Sequence, residues 1–512
     1  MQDILQSLGS GILSVLTPSA LLWILLGGLI GTVVGAIPGL GPSCGIALLL
    51  PISYSLPHVE GLSLIIAIYL GAMYGGRISS ILINTPGDNA AVMTCMDGYP
   101  LMKQGKGGKA LGISCYSSFI GGMIGIICMT FITPWLAKAA LAFGSAETCI
   151  VMLFGLVAIS MATDSKSVRG LLMVAVGLLI ATMGSEYVSG KLRLTFGIPE
   201  LFDGINFVPA ALGLFGFTEV LCGMEARSAA SMGKIEVSLR STLPNGKELK
   251  RVTPATLLGT LLGLFVGILP GAGATLATFV SYGAAKKVSR HPEEFGKGSL
   301  EGVAAPEAAN NACVAGALTP MLAIGIPGSS VAALIMGAFI MQDLQPGPLM
   351  FQRTPDIAWA IIAGLYVCNV ILLLMNIGLI PVFTGLVRIS EKVLYPCVAF
   401  LCVVGSFCLQ NSMFDVIVML IFGFLGYFMR KGGYPVAGLL LALILGNDIE
   451  QNFRQAMIMS HGSLGIFVAS PLCKVFFALT IVCILFPVLK WAFEKWIRKP
   501  KLETAAEPSE SE

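Results

Sequence analysis

Four proline–glycine pairs interrupt the apolar stretches of this chain: Pro38-Gly39, Pro86-Gly87, Pro270-Gly271 and Pro327-Gly328. Proline removes a backbone donor and glycine permits unusual dihedral angles, so each pair is expected to end a helix. The helix that starts after a break offers unpaired N–H groups and about half a positive charge, which suits a carboxylate. Carbonyl groups at the end of the preceding helix suit a sodium ion.

Small polar residues follow each break, and we expect them to form one anion-binding site together with the breaks. A structural kink with an ordinary helix cap is the alternative at each position, because Asp, Ser and Thr are common N-caps. The candidate substrate-binding residues are Pro38, Gly39, Gly41, Ser43, Asn84, Thr85, Pro270, Gly271, Gly273, Thr275, Pro327, Gly328, Ser329 and Ser330.

Asp88 differs from the other residues after the breaks because it is charged. A carboxylate at membrane depth costs at least ~2.5 kcal/mol unless it is paired, and the matching position after the fourth break is the neutral Ser329. This asymmetry predicts Asp88 as a ligand of the coupling cation, with Asn89 beside it. The paired amides of Asn310 and Asn311 are further candidates. An interfacial helix cap is the alternative for Asp88.

Two other charged residues lie next to apolar sequence. Arg77 precedes the second break and is predicted to hold a substrate carboxylate or to pair with Asp88. An arginine at the membrane interface is the alternative interpretation. Glu307 is predicted to be a carboxylate in the first turn of a helix rather than a ligand.

The breaks occur as two matched pairs, which indicates a duplicated chain. The segment 35–41 recurs at 267–273, and the segment 83–88 recurs at 324–329. The two spacings, 232 and 241 residues, are nearly equal. Broken helices at matching positions of two membrane halves are typical of a transporter's binding site. The spacing of Gly27, Gly31 and Gly35 instead predicts close helix packing.

The composition places the chain in a membrane. Of its 512 residues, 55% are hydrophobic and 12% are charged, whereas a soluble domain carries roughly 25% charged residues. We therefore expect an all-α, polytopic membrane protein with about ten to twelve hydrophobic elements, judged against a span of about 20 residues. These elements are expected to form two inverted repeats with broken or re-entrant helices.

The loop charges suggest the domain organisation. We expect a first transmembrane repeat at residues 1–224, a basic cytoplasmic linker at 225–252, a second transmembrane repeat at 253–497 and an acidic disordered tail at 498–512. Basic loops on both sides of the third break predict that residues 253–285 enter the membrane and return. The flanks of the first break carry no lysine or arginine, which predicts the inverted orientation.

Several catalytic and cofactor motifs are absent from the sequence. It contains no P-loop, no Gly-x-Ser-x-Gly elbow and no His-Glu-x-x-His. Its three histidines and 13 scattered cysteines argue against a metal centre. We expect no enzymatic activity, no cofactor besides a coupling sodium ion or proton, and no nucleic-acid partner.

The sequence resembles the large membrane subunit of the tripartite tricarboxylate transporters across about 470 residues. The resemblance rests on several segments that occur in order, and it is their number rather than any one of them that makes it specific. These segments are Asp97-Gly98-Tyr99-Pro100-Leu101, Gln104-Gly105-Lys106, Leu194-Thr195-Phe196-Gly197, Asp203-Gly204, residues 301–312, Gly316-Ala317-Leu318-Thr319-Pro320, residues 325–330 and Gln345-Pro346-Gly347-Pro348.

The resemblance implies a three-component uptake system in a bacterial inner membrane. A soluble extracytoplasmic solute-binding protein and a small membrane subunit would be the partners, and citrate or a related organic anion would be the substrate. A sodium or proton gradient would drive the uptake. A gradient-independent anion channel, an intramembrane enzyme and a purely structural scaffold are the competing interpretations.

Overall fold

The computed structural model describes residues 2–162, 167–186, 190–225, 242–379, 382 and 391–497. Most of the expected linker and the whole expected tail at 498–512 lie outside this part of the chain. The fold is helical, and the strands in the described part form one small antiparallel pair, Gly184–Ser185 with Leu192–Arg193.

The first half of the chain contains ten α-helices among the described residues. A short 3₁₀ helix, Asn89–Ala91, precedes the fifth, and a π-helical segment, Leu212–Phe217, separates the last two. The α-helices are α1 Gln2–Val15, α2 Pro18–Ala36, α3 Gly41–Tyr54, α4 His58–Ile83, α5 Val92–Lys103, α6 Gly107–Ala140, α7 Ser145–Ala162, α8 Ser167–Ala181, α9 Phe207–Ala211 and α10 Thr218–Glu225.

The second half contains ten further α-helices within the described ranges, together with short 3₁₀ turns at Pro292–Glu294 and Leu464–Val468. The α-helices are α11 Gly246–Ile268, α12 Gly273–Val288, α13 Leu300–Ile324, α14 Ser330–Met341, α15 Met350–Arg353, α16 Pro355–Gly378, α17 Glu391–Gln410, α18 Met413–Gly432, α19 Val436–Met459 and α20 Pro471–Ile497.

Eight helices of the described chain are long and apolar enough to cross a membrane. Five shorter apolar helices accompany them, which gives thirteen apolar helices in the described chain. The sequence predicted a similar number, about ten to twelve hydrophobic elements. The prediction of an all-α polytopic membrane protein is confirmed. The eight long elements are Pro18–Ala36, His58–Ile83, Gly107–Ala140, Phe207–Glu225, Gly246–Ile268, Pro355–Gly378, Val393–Gln410 and Met413–Gly432.

Two helices, α4 and α13, lie at the centre of the molecule. Residues 61–82 of α4 and 301–323 of α13 are all buried. A helix that is apolar and buried on every side must be enclosed by other helices. Helix α2 packs along α4, and α11 and α6 pack along α13. Both of the central helices end at a predicted break, so the core of the protein positions those breaks.

Glycine stripes bring α2 against α4 and α11 against α13. A Cβ atom on Gly27, Gly31 or Gly35 would lie 2.6, 2.4 or 2.1 Å from a backbone oxygen of α4. This confirms the close packing that the spacing predicted. The stripe on α11 is equivalent: Cβ atoms at the glycines 259, 263 and 267 would lie 2.2, 2.2 and 2.6 Å from backbone oxygens of α13.

The contact partners of the two stripes follow the sequence duplication. Each glycine of the α2 stripe has its counterpart on α11 232 residues later, which is also the spacing between the first and third breaks. Their backbone partners on α4 have counterparts on α13 241 residues later, which is the spacing between the second and fourth breaks. We propose on this basis that residues 1–224 and 253–497 are repeats, with the inverted orientation that the loop charges predict.

Candidate functional site

The first and third breaks are tips of helical hairpins. Gly39 and Gly41 lie between α2 and α3 with φ angles of +92° and +58°. Gly271 and Gly273 lie between α11 and α12 with φ angles of +84° and +64°. Only glycine adopts this region readily, so each hairpin depends on its pair of glycines. Helices α11 and α12 pack against each other, as expected of a segment that enters the membrane and returns.

The second and fourth breaks share another local structure. The residues that follow α4 and α13, Asn84 and Gly325, both have the left-handed conformation that terminates helices. The Asp88 Oδ1 atom then accepts a hydrogen bond of 2.8 Å from the Ala91 N–H. Ser329 Oγ accepts one of 3.1 Å from the Ala332 N–H at the start of α14. Both polar residues are therefore N-caps, as the alternative interpretation held.

Backbone hydrogen bonds fix these two breaks against the central helices. The Gly87 N–H donates to the Gly76 carbonyl at 3.3 Å, and the Gly328 N–H donates to the Ala317 carbonyl at 3.1 Å. The third and fourth breaks are joined directly, because the Gly271 N–H donates to the Gly328 carbonyl at 3.0 Å. The break loops are thus held by backbone groups, which leaves side chains free to face a ligand.

All four break segments line one cavity of about 820 Å³. This volume is within the range of small-molecule sites, about 300–1,000 Å³. The predicted residues that line it are Gly39, Gly41, Ser43, Asp88, Asn89, Gly271, Gly273, Thr275, Ser329 and Ser330. The cavity therefore gathers segments that are more than 200 residues apart in the sequence.

Other predicted residues lie outside this lining. Asn84 and Thr85, which precede the second break, are exposed and do not line the cavity. The side chains of Pro38, Pro86, Pro270 and Pro327 shape the breaks, and of these Pro86 alone belongs to the described lining. Gly328 is buried behind it, against α11 and α13.

Arg77, Asn310 and Asn311 lie in the buried core rather than in the lining of the cavity. The Arg77 guanidinium is 2% exposed, donates to Asn376 Oδ1 at 3.1 Å and lies over the Tyr74 ring. It is therefore neither an interfacial arginine nor, in this structure, a contact of Asp88 or the cavity. The Oδ1 atoms of both asparagines have no hydrogen-bond partner among the described residues.

Glu307 occupies a different place from the one predicted. Helix α13 begins at Leu300, so Glu307 lies two turns inside it rather than in its first turn. The carboxylate is 1% exposed and accepts hydrogen bonds from Thr94 Oγ1 at 2.5 Å and Ser118 Oγ at 3.0 Å. It joins α13 to α5 and α6. Its local sequence, Pro306-Glu307, resembles a helix start, which explains the wrong expectation.

The charges of the cavity are one acid and one base among its described lining residues. Asp88 supplies the carboxylate, and Arg430, in the last turn of α18, supplies the guanidinium. Sequence reasoning missed Arg430 because a basic pair at the end of an apolar helix is typical of a membrane interface. Tyr69, a buried residue of α4, also lines the cavity and was not predicted.

The fold and this cavity define a class of protein: a multi-pass α-helical membrane protein with paired helix breaks around one ligand-sized cavity, the architecture of a transporter. The chain belongs to the tripartite tricarboxylate transporter TctA family, whose model matches residues 21–441. It is the large membrane subunit of such a tripartite system.

Two relatives come from Agrobacterium vitis. An uncharacterized 52.8 kDa protein of the TAR-I ttuC′ 3′ region is 38% identical over 490 residues, 96% of this chain and 97% of the relative. An uncharacterized protein of the TAR-II ttuC′ 3′ region is 39% identical over 227 residues, 44% of this chain and 94% of the relative. No solved structure matches the chain.

Proposed function

We propose that this chain is the permease subunit of a binding-protein-dependent secondary transporter. It imports tricarboxylates such as citrate, or related organic anions, across a bacterial inner membrane. An extracytoplasmic solute-binding protein delivers the substrate and a small membrane subunit accompanies the permease. A sodium or proton gradient drives the uptake.

The observation that carries this proposal is the convergence of all four breaks on one cavity. Helices α3, α12 and α14 and the Asn89–Ala91 turn all begin in segments that line it, which places the partial positive charge of three helix starts at its wall. Those partial positive charges favour a ligand with several carboxylates. The Arg430 guanidinium adds a full positive charge at the same wall.

The carboxylate of Asp88 provides a physical basis for coupling anion binding to cation binding. A carboxylate beside an anion site disfavours the anion until a sodium ion or a proton neutralises it. Each ligand then raises the affinity for the other by the same factor, which is the thermodynamic basis of coupling. Asn89 and Ser329 add oxygen atoms, the ligand type that suits a sodium ion, to the same cavity lining. We propose this site, rather than Asn310 and Asn311, as the coupling site.

An intramembrane aspartyl enzyme fits the site less well. That chemistry needs two carboxylates that share a substrate, and Asp88 is the one carboxylate in the described lining of the cavity. In a gradient-independent anion channel, the negative charge of Asp88 close to the anion path would only oppose conduction. The two rivals therefore predict different behaviour from the carrier.

Uptake into proteoliposomes tests the proposal. The chain is reconstituted with its small membrane subunit, and uptake of labelled citrate, isocitrate, succinate and malate is measured with and without the binding protein. Each condition is repeated with an inward sodium gradient, an inward proton gradient or neither. We expect uptake of at least one carboxylate to need both the binding protein and one gradient. Uptake that ignores both gradients would support a channel, and silence across the panel would reject the proposal.

A further inference from the structure

We propose that Glu219 and Arg430 form an anion-operated latch on the cavity. Without substrate, Arg430 is held by the Glu219 carboxylate; with substrate, a carboxylate of the transported anion takes its place. This inference rests on the proposed function and adds a specificity-determining residue and its competitor to it.

The geometry places the pair between the cavity and the first break. Arg430 lines the cavity, and its Nη1 atom donates a hydrogen bond to Glu219 Oε2. The other carboxylate oxygen, Oε1, lies 3.0 Å from the point where a Cβ atom on Gly39 would stand. Glu219 is in the first turn of α10. A single ion pair thus connects α18, α10 and the tip of the α2–α3 hairpin.

The pair is suited to exchange rather than to permanent structure. The Arg430 side chain is 51% exposed, and the Glu219 side chain is 15% exposed. An ion pair with one half-exposed partner contributes little net stability, so it opens readily. A guanidinium binds carboxylates in a planar, two-pronged geometry. A substrate carboxylate replaces Glu219 with a group of the same chemistry, so the exchange leaves Arg430 paired throughout.

The exchange connects ligand binding to a movable element. Once the anion holds Arg430, this one of the contacts between α10 and α18 is lost, and Glu219 is left beside Gly39 at the tip of the α2–α3 hairpin. A ligand shifts a conformational equilibrium only through contacts that differ between its two states. The Glu219–Arg430 pair supplies such a contact, because it exists in one state and is replaced in the other.

The next residue of α18 provides a matched comparison. Lys431 Nζ lies 2.7 Å from Glu225 Oε1, and both side chains are about half exposed, at 50% and 53%. This second ion pair also joins α18 to α10, but neither of its residues belongs to the described lining of the cavity. Variants of Lys431 therefore remove the same kind of contact between the same two helices without touching the anion.

The test compares Arg430→Gln, Arg430→Lys and Glu219→Gln with the control Lys431→Gln in the proteoliposome assay. The probe is the member of the citrate, isocitrate, succinate and malate panel that the wild type transports fastest. We expect Arg430→Gln to raise KM about tenfold or more, since a hydrogen bond between charged groups is lost. Arg430→Lys should fall between Arg430→Gln and the wild type, because the charge remains without the planar fork.

The direction of the change in KM for Glu219→Gln distinguishes the latch from damage to the fold. Removal of the competing carboxylate should lower KM about two- to fivefold, as expected for a weak ion pair, whereas damage to the fold would raise KM or abolish uptake. Lys431→Gln should leave KM within about twofold of the wild type. Equal effects of Arg430→Gln and Lys431→Gln, or a raised KM in Glu219→Gln, would overturn the latch while leaving the transport function intact. Failure of the wild type to transport any panel member would instead reject the proposed function and the latch with it.

Discussion

Asp88 caps a local turn and also lines the cavity. Its Oδ1 atom caps the Asn89–Ala91 turn, and the carboxylate faces the space that the four breaks enclose. Capping alone does not require a charge, because Asn and Ser cap helices about as well as Asp. Ser329, which occupies the matching position after the fourth break, caps α14 without one. The charge at Asp88 therefore calls for a functional explanation.

Asp88→Asn separates the cap from the charge. Asparagine retains the cap but removes the charge, so the variant should fold and insert normally and its melting temperature in detergent should change little. Uptake driven by a sodium or proton gradient should fall to background, because the cation loses its ligand or proton acceptor. The measurement is initial uptake in proteoliposomes with and without the gradient.

Asp356→Asn is the control for loss of a carboxylate near a helix start. Asp356 lies in the first turn of α16, is exposed and is not in the described lining of the cavity. Its variant should transport like the wild type. Gradient-driven uptake at the wild-type rate in Asp88→Asn would remove Asp88 from the coupling mechanism.

Residue-level reasoning from the sequence located the residues whose position is set by a local pattern. Asp88, Ser329 and Thr275 were predicted because each follows a proline–glycine break, and the structure places all three on the cavity. It failed for Arg430 and Arg77, whose surroundings depend on contacts with distant helices. Arg77 donates a hydrogen bond to Asn376, which is 299 residues away, and no local sequence pattern predicts such a partner.

At the scale of elements, the second and fourth breaks depend on glycines that touch backbone. A Cβ atom on Gly87 would lie 1.9 Å from the Gly35 carbonyl oxygen. A Cβ atom on Gly328 would lie 2.6 Å from the Ala317 Cα atom and 2.7 Å from the Gly267 carbonyl oxygen. Because these neighbouring atoms belong to the backbone, they cannot move aside as the end of a flexible side chain could. Each break therefore needs glycine at this position for the close approach of the backbone.

Gly87→Ala and Gly328→Ala should both destabilise the protein, by about 1–3 kcal/mol or more as for an overpacked core. The added methyl group must push the break loop away from its neighbouring helix. Thermal unfolding of the detergent-solubilised variants measures this, and a lower melting temperature is expected for both.

Gly283→Ala provides the control within α12. A Cβ atom at Gly283 meets no atom within 4 Å, and alanine favours a helix over glycine by roughly 0.5–1 kcal/mol. This variant should be as stable as the wild type or slightly more stable. Wild-type melting temperatures for Gly87→Ala and Gly328→Ala would show that the breaks are not packed as described.

The order of elements was predictable to the extent that breaks and caps mark helix ends. Residues 253–285 were expected to form a hairpin broken at Pro270-Gly271, and α11 and α12 do so. The start of α11 was missed: the helix begins at Gly246, inside the segment assigned to the linker. The reason is a capping box, in which Asn245 and Glu248 satisfy each other's backbone N–H groups.

For the whole molecule, the sequence predicted that four breaks would meet but not how the core would bring them together. The central helices α4 and α13 each carry one break and are enclosed along their length. Their glycine-packed partners α2 and α11 carry the other two. This arrangement accounts for the matched spacings in the sequence, and we propose that the two repeats form two bundles that move against each other around one site.

The most direct test of a shared anion and cation cavity is substrate-driven cation entry. Proteoliposomes with the chain and its small subunit contain no ion gradient and receive binding protein and a transported carboxylate on the outside. Entry of labelled sodium, or of protons reported by an internal dye, is then recorded. We predict cation entry that requires the carboxylate in the wild type and is absent from Asp88→Asn, because coupling is reciprocal. Carboxylate entry without any cation movement in the wild type would contradict the proposed mechanism.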